Sequence, residues 1–159
     1  MKKIFKIIIF ETIILVVLLL LLFLPRNEKL KTAEVCFREL ALSGLEESKG
    51  CFEVEVVDTP LKRQQGLMFR EHLNNDKGML FVFEQEGDYP FWMKNTLIPL
   101  DMIWINQNQE IVFIKENAQP CEQVDCPIIE PGQNAKYVLE INGGVVKDIN
   151  LTLGDKILF

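Results

Sequence analysis

Histidine is almost missing from this chain of 159 residues, which holds one, His72. Any triad built on imidazole would have to use it, and it sits in the charged segment Arg70-Glu71-His72, a poor setting for catalysis. No cluster of histidine and cysteine at ligand spacing occurs, so a zinc centre is excluded. Phosphate-binding glycine loops, dinucleotide fingerprints and HExxH helices are absent too. Neither a metal nor a cofactor is therefore expected. Basic residues are scarce once the N-terminus is passed. Lys2, Lys3, Lys6 and Arg26 against Glu11 give residues 1–26 a charge of +3; the whole chain carries −6, so the remainder carries −9. Such acidity excludes nucleic acid and anionic lipid surfaces as partners and serves solubility. No internal repeat is visible.

What the chain does contain begins with an apolar run. Residues 7–24 are interrupted only by Glu11 and Thr12. As a helix they would rise about 27 Å, just short of a hydrocarbon core of about 30 Å, a gap that flanking residues can close. The unbroken part, 13–24, also suits a signal peptide. However, Pro25-Arg26-Asn27-Glu28 offers no A-x-A-like cleavage pair, and Ala33-Glu34-Val35-Cys36 lacks the small residue a lipoprotein site needs. Residues 1–26 are expected to form an uncleaved signal anchor. It would be a single-pass transmembrane helix with its basic end in the cytoplasm and the rest of the chain outside. Secretion after cleavage is the alternative.

Four cysteines, an even number, suit an oxidising compartment. Cys121 and Cys126 frame the loop PCEQVDCP; Cys36 and Cys51 remain. Of three possible connectivities, Cys36–Cys51 and Cys121–Cys126 are expected. Four residues between Cys121 and Cys126 is wider than the two of thioredoxin-type motifs, which favours a structural bridge over a redox switch. Loop closure assigns roughly 2 kcal/mol to the small ring and about 3 to the larger.

Residues 27–50 read as a polar stalk, and 51–159 as one extracytoplasmic domain. Phe52, Val54 and Val56 alternate with Glu53 and Glu55, the pattern of a half-buried strand. Thr59 and Pro60 open a helix as N-cap and first residue, and Gly66 ends it after Gln65. Residues 79–83 are apolar on both faces, hence a central strand. Leu100, Met102 and Trp104 alternate with Asp101, Ile103 and Ile105, then Asn106-Gln107-Asn108-Gln109 turns the chain into a hairpin partner. Further strands fall at 135–141, with Tyr137, Leu139 and Ile141 on one face, and at 157–159. The expected fold is mainly β: a compact barrel-like or jelly-roll-like sandwich of about six or more short strands with one short helix, preceded by the transmembrane helix.

Residues 66–105 hold four of the five methionines, both tryptophans and the lone histidine. At about 25 cal/mol per Å² that much apolar surface does not stay in water, so the stretch is core, pocket, or both. Its blocks Gly66-Leu67-Met68-Phe69-Arg70, Gly78-Met79-Leu80-Phe81-Val82-Phe83 and Phe91-Trp92-Met93-Lys94-Asn95-Thr96 with Pro99-Leu100-Asp101 resemble a prokaryotic family, the domain of unknown function numbered 192. Pro120-Cys121 with Cys126-Pro127, Tyr137-Val138-Leu139-Glu140 and Gly154-Asp155 continue the match in order. The resemblance covers roughly residues 51–159. It implies a compact, largely β, barrel-like or jelly-roll-like domain, often exported or anchored, and no particular activity. One departure is the hairpin turn at 106–109, which lacks the family's usual glycine.

Arg70, Lys94, Asn95 and Asp101 are polar groups embedded in apolar sequence. Asp101, on the Ile103/Ile105 side of its strand, needs partners if buried, and Arg70 or Asn95 would serve. Such a cluster either pins the 91–99 loop or floors a pocket walled by Phe91, Trp92 and Trp104. Met68, Met79, Met93 and Met102, though soft ligands near His72, are spaced as core fillers rather than as a copper site. The expected function is a binding or accessory module of the cell envelope. Its partner would be a small ligand or an envelope protein, with Arg70, Phe91, Trp92, Lys94, Asn95, Asp101 and Trp104 as candidate binding residues. The rivals are an envelope enzyme using Asp101 or Glu140 as acid/base, which needs two carboxylates across one cleft, and a purely structural partner of a membrane complex.

Overall fold

A computed structural model of the chain describes residues 13–19, 30–40 and 46–159. The first of these, α1 (13–19), is helical, with its apolar side chains exposed. Among the described residues no helix is long and apolar enough to cross a membrane. The anchor expected over 1–26 falls largely outside the described residues.

Nine strands and two further short helices follow: β1 (Lys31–Leu40), β2 (Glu46–Val57), α2 (Pro60–Gln65), β3 (Lys77–Gly87), β4 (Phe91–Trp92), β5 (Leu100–Ile105), β6 (Ile111–Ala118), β7 (Ile128–Ile129), β8 (Ala135–Asn142), α3 (Val145–Asp148) and β9 (Lys156–Leu158). Within the stretch 27–50, expected as a stalk, the described residues form β1 and the beginning of β2. Val35 and Phe37 of β1 are sealed from solvent, and Cys36 lies opposite Cys51 in the β1–β2 register. Their apolar side chains bury more area than a solvated linker would allow. The disulfides Cys36–Cys51 and Cys121–Cys126 are both formed.

Seven strands make one mixed sheet in the order β6-β5-β8-β3-β2-β1-β9, and β4 with β7 forms a small ribbon. The architecture is mainly β, but it is a curled half-barrel rather than a sandwich of two large sheets. Its two ends are drawn together where the Ile111 amide donates to the Asp155 carbonyl and the Ile157 amide to the Gln109 carbonyl, each at 2.9 Å. Pairing between β2 and β3 is parallel, which demands a crossover. Residues 58–76 supply it, and α2 lies within them. Thr59 caps α2 by accepting from the Lys62 amide, and Gly66 stops it at φ 48°.

Alternation along each central strand sends side chains to two separate cores. Leu80, Ile103, Leu139 and Ile141 join Val35, Phe37 and Ile157 on the concave side. Met79, Phe81, Met102, Trp104 and Val138 face outward, where the crossover and the β4–β7 ribbon cover them with Leu67, Leu73 and Met93. This double burial explains the apolar density of residues 66–105: they are both the strands and their roof.

In the turn without glycine, Gln109 takes up the left-handed conformation at φ 64°. The Asn106 side chain supports it by accepting from the Asn108 and Glu110 amides. A residue with a Cβ is strained there, so Gln109→Gly is expected to raise stability by about 0.5–1 kcal/mol. An unchanged urea midpoint would show the strain to be relieved elsewhere.

Candidate functional site

Glu140 occupies an unusual place for a carboxylate. Because Leu139 and Ile141 point to the concave core, Val138 and Glu140 must point to the roofed face. In register, Glu140 lies between Met79 on β3 and Met102 on β5, two thioethers that offer almost nothing to a polar neighbour. Gly78 lets β3 approach this closely, since a Cβ there would stand 2.7 Å from the Glu140 carbonyl oxygen. The residue is 5% exposed, and its Oε2 is buried without a hydrogen-bond partner. Burial pushes the carboxyl up to about 8, against the opposing pull of the Arg70 charge. At neutral pH it is therefore a neutral acid, with a proton to donate.

Arg70 does not neutralise it because it is committed elsewhere. Its two terminal nitrogens grip Glu55 at 2.6 and 2.5 Å, a bidentate pair that raises the arginine further. Glu55 faces the same side of the sheet two strands away, opposite Met79.

A pocket of about 360 Å³ opens over Glu140 between the crossover and residues 89–92. Phe81, Phe83, Tyr89, Phe91 and Leu67 line it, with Thr96 and Glu140 among the polar groups. Its aromatic wall is held by contacts below. Phe91 meets Phe81 edge-on at 4.9 Å and Trp104 at 5.4 Å, and the Trp104 indole donates to the Tyr89 carbonyl at 2.9 Å. Phe83 and Tyr89 stack at 3.6 Å, and the Arg63 guanidinium covers Phe83 while donating to the Asp58 and Val82 carbonyls. Gly66 forms part of the wall at a point where a Cβ would stand 3.2 Å from the Phe81 ring.

Trp92 at the pocket is 46% exposed, and Leu61 in a depression beside it is 77% exposed; Phe69, 68% exposed, lines neither. Phe69 is also left-handed, at φ 63°, with its amide bonded to the carbonyl of Asn95, itself left-handed at φ 56°. A bulky residue held there stores strain, a feature that clusters at binding sites. A shallower depression continues the pocket past Met68 and Trp92 to Lys94 and Asn95, where Lys94 sits over the Trp92 ring at 5.3 Å.

Of the residues singled out from sequence, Arg70 is held by Glu55 and lines neither the pocket nor the depression beside it. Phe91 and Trp92 line the pocket, and Lys94 and Asn95 lie in the adjoining depression. Trp104 is sealed behind Phe91 as its support. Asp101 lies apart from the others. It meets neither Arg70 nor Asn95, for its oxygens accept the amides of Asn117 and Val146, each at 2.7 Å. It occupies the concave face and Glu140 the roofed one, so the two carboxylates cannot act across one cleft. Sequence reasoning named Glu140 only as a rival acid and passed over Phe81, Phe83, Tyr89, Thr96 and Arg63. The available signal was one charged residue in the otherwise apolar run 138–141.

A larger hollow, about 700 Å³, lies by the Cys121–Cys126 bridge and is walled by Met93, Phe113 and Ile129. Its polar lining is exposed, with no buried group aimed inward. Size alone does not make it the site.

A half-barrel sheet with one roofed face and a ring-sized pocket beneath the roof makes this a small pocket-bearing β domain. The chain belongs to the DUF192 family, described as Uncharacterized ACR, whose profile matches residues 44–159. UPF0127 proteins of Thermococcus sibiricus and Thermococcus gammatolerans are 29% and 27% identical over 104 residues, 65% of this chain. The chain spans 64% of the length of each of these relatives. Among solved structures, a Sinorhizobium meliloti 1021 protein with a provisional name as a transcription regulator is similar at TM-score 0.72 and 35% identity, over 83% of this chain and 96% of that one. A Novosphingobium aromaticivorans protein of unknown function matches at TM-score 0.72 and 30% identity, over 86% and 91%.

Proposed function

We propose that this chain is a membrane-anchored extracytoplasmic binding module whose roofed pocket takes a small organic molecule against Glu140. The observation that carries it is the buried carboxyl oxygen left without a partner beside the pocket. A stranded polar atom costs about 1–3 kcal/mol, and a bound ligand would supply the missing hydrogen bond. Mostly apolar walls with a few convergent polar groups are the usual make-up of such sites, and 360 Å³ lies at the small end of their range of about 300–1,000 Å³. The basic N-terminus and apolar run support anchoring, and two disulfides support an oxidising exterior. A regulatory role through DNA is disfavoured by the charge of −9 beyond residue 26.

A fragment screen by ligand-observed NMR on the full chain in detergent micelles tests this. Ring-bearing fragments are expected to give saturable signals that compete with one another. Met68→Trp, which places an indole at the mouth, should abolish them. Fragments that bind the variant equally well, or none that saturates at millimolar concentration, would overturn the reading.

A further inference from the structure

The pocket's charge arrangement narrows what it accepts. Glu140 is its single acidic lining residue, and it is the residue with the unpartnered oxygen. One arginine stands in its wall, Arg63 over Phe83; Arg70 lies outside the lining but acts on Glu140 electrostatically while clamping Glu55. The Arg70–Glu55 pair is internally neutral, so Arg63 supplies the net charge, and it is positive. The remaining neighbours of Glu140 in its sheet row, Met79 and Met102, are uncharged. An ammonium group entering would meet the Arg63 guanidinium and a carboxyl that must first ionise in an apolar setting. A carbonyl oxygen would meet a buried hydroxyl donor and a favourable positive field.

From this placement we infer that the pocket selects planar, ring-bearing molecules that present a carbonyl or carboxylate oxygen to Glu140, the ring lying among Phe81, Tyr89 and Phe91. Specificity follows from the donor: an acceptor fills the one unsatisfied position, whereas an amine duplicates the positive charge already there. The inference rests on the pocket being a ligand site, and it names the ligand's chemistry.

Benzamide, benzoate and benzylamine form a matched probe set for titration against the full chain in micelles, followed by calorimetry or ligand-observed NMR. Benzamide and benzoate are expected to bind, and benzylamine at least about tenfold more weakly. Benzoate affinity should fall about tenfold between pH 7 and 9, because the carboxyl ionises near pH 8 and two carboxylates then face each other. Glu140→Gln retains an N–H donor without a titration, so its benzoate affinity should persist and lose that pH dependence. Glu140→Ala should bind neither acceptor well. Benzylamine binding as tightly as benzamide, or benzoate gaining affinity with pH, would overturn the ligand class and leave the pocket standing. Silence from all three probes while other fragments bind would overturn it equally. Silence across probes and fragments alike removes both this inference and the pocket reading.

Discussion

Between pH 5 and 8 the wild-type chain should lose stability that the Glu140→Gln variant keeps. The folded-state value of about 8 is raised above the ordinary 4.5, so across that window the folded state holds a proton the unfolded state has released. Stability then falls as pH rises from about 4.5 and levels off above about 8. The difference between 4.5 and 8, at 1.36 kcal/mol per pH unit, sets an upper bound of roughly 5 kcal/mol. Against a typical total of about 5–15 kcal/mol, that loss is large enough to read from urea midpoints. Glutamine nearly matches the shape of the neutral acid and does not titrate. The two proteins should therefore be of similar stability near pH 5, with the variant ahead by several kcal/mol at pH 8. Parallel curves would mean that the carboxyl stays ionised and hydrated in the folded protein.

A group that sacrifices stability near neutral pH is a recognisable kind of residue. Substituting an apolar side chain of similar size would remove the penalty, yet the position holds Glu140, opposite Met79 and with Gly78 close against its carbonyl oxygen. Exposure of Trp92 at the pocket and of Leu61 in the adjoining depression adds a further local cost. Left-handed non-glycine residues also occur away from the pocket, at Gln109, Asn117 and Asn150, so the buried, unpartnered carboxyl rather than backbone strain marks the site.

Much of the sheet was legible because period-two alternation carries over into burial. The faces assigned to Phe52 and Val54, to Leu100, Met102 and Trp104, and to Tyr137, Leu139 and Ile141 all appear in the two cores. The start of α2 was legible because Thr59 and Pro60 state it chemically. By contrast, β1 was hidden. Lys31, Thr32 and Glu34 on its exposed side resemble a linker, and its pairing with β2 is a long-range fact that local composition does not carry. The half-barrel was hidden for the same reason, since it depends on β9 reaching back to the beginning of β6. Within the site, the aromatic walls were partly legible as an excess of apolar residues in 66–105. The partners of individual charges were not. Arg70 lay within reach of several acids, and only the parallel β2–β3 pairing places Glu55 beside it.

Asp101 carries the second large effect, and its sign separates architecture from function. On β5 it faces the point where β6 bulges, with two residues, Glu116 and Asn117, opposite the single Asp101 between the partners of Leu100 and Met102. One carboxylate oxygen accepts the amide of Asn117, held in the bulge at φ 46°, and the other accepts the amide of Val146 at the beginning of α3. Asp101→Ala strands two amides, that of Val146 fully buried and that of Asn117 partly buried. At about 1–3 kcal/mol for each, plus the cavity left behind, a loss of roughly 3–5 kcal/mol is expected in urea melts. Asp101→Asn should cost less, about 2 kcal/mol, because it keeps one acceptor but turns its amide group against the second donor. A loss below about 0.5 kcal/mol for the alanine variant would show that the bulge and α3 hold without this brace. In the fraction that remains folded, probe binding at the Glu140 pocket should be unaltered, since the sheet itself lies between the two carboxylates. Binding that fails under conditions keeping Asp101→Asn fully folded would instead place Asp101 in the site.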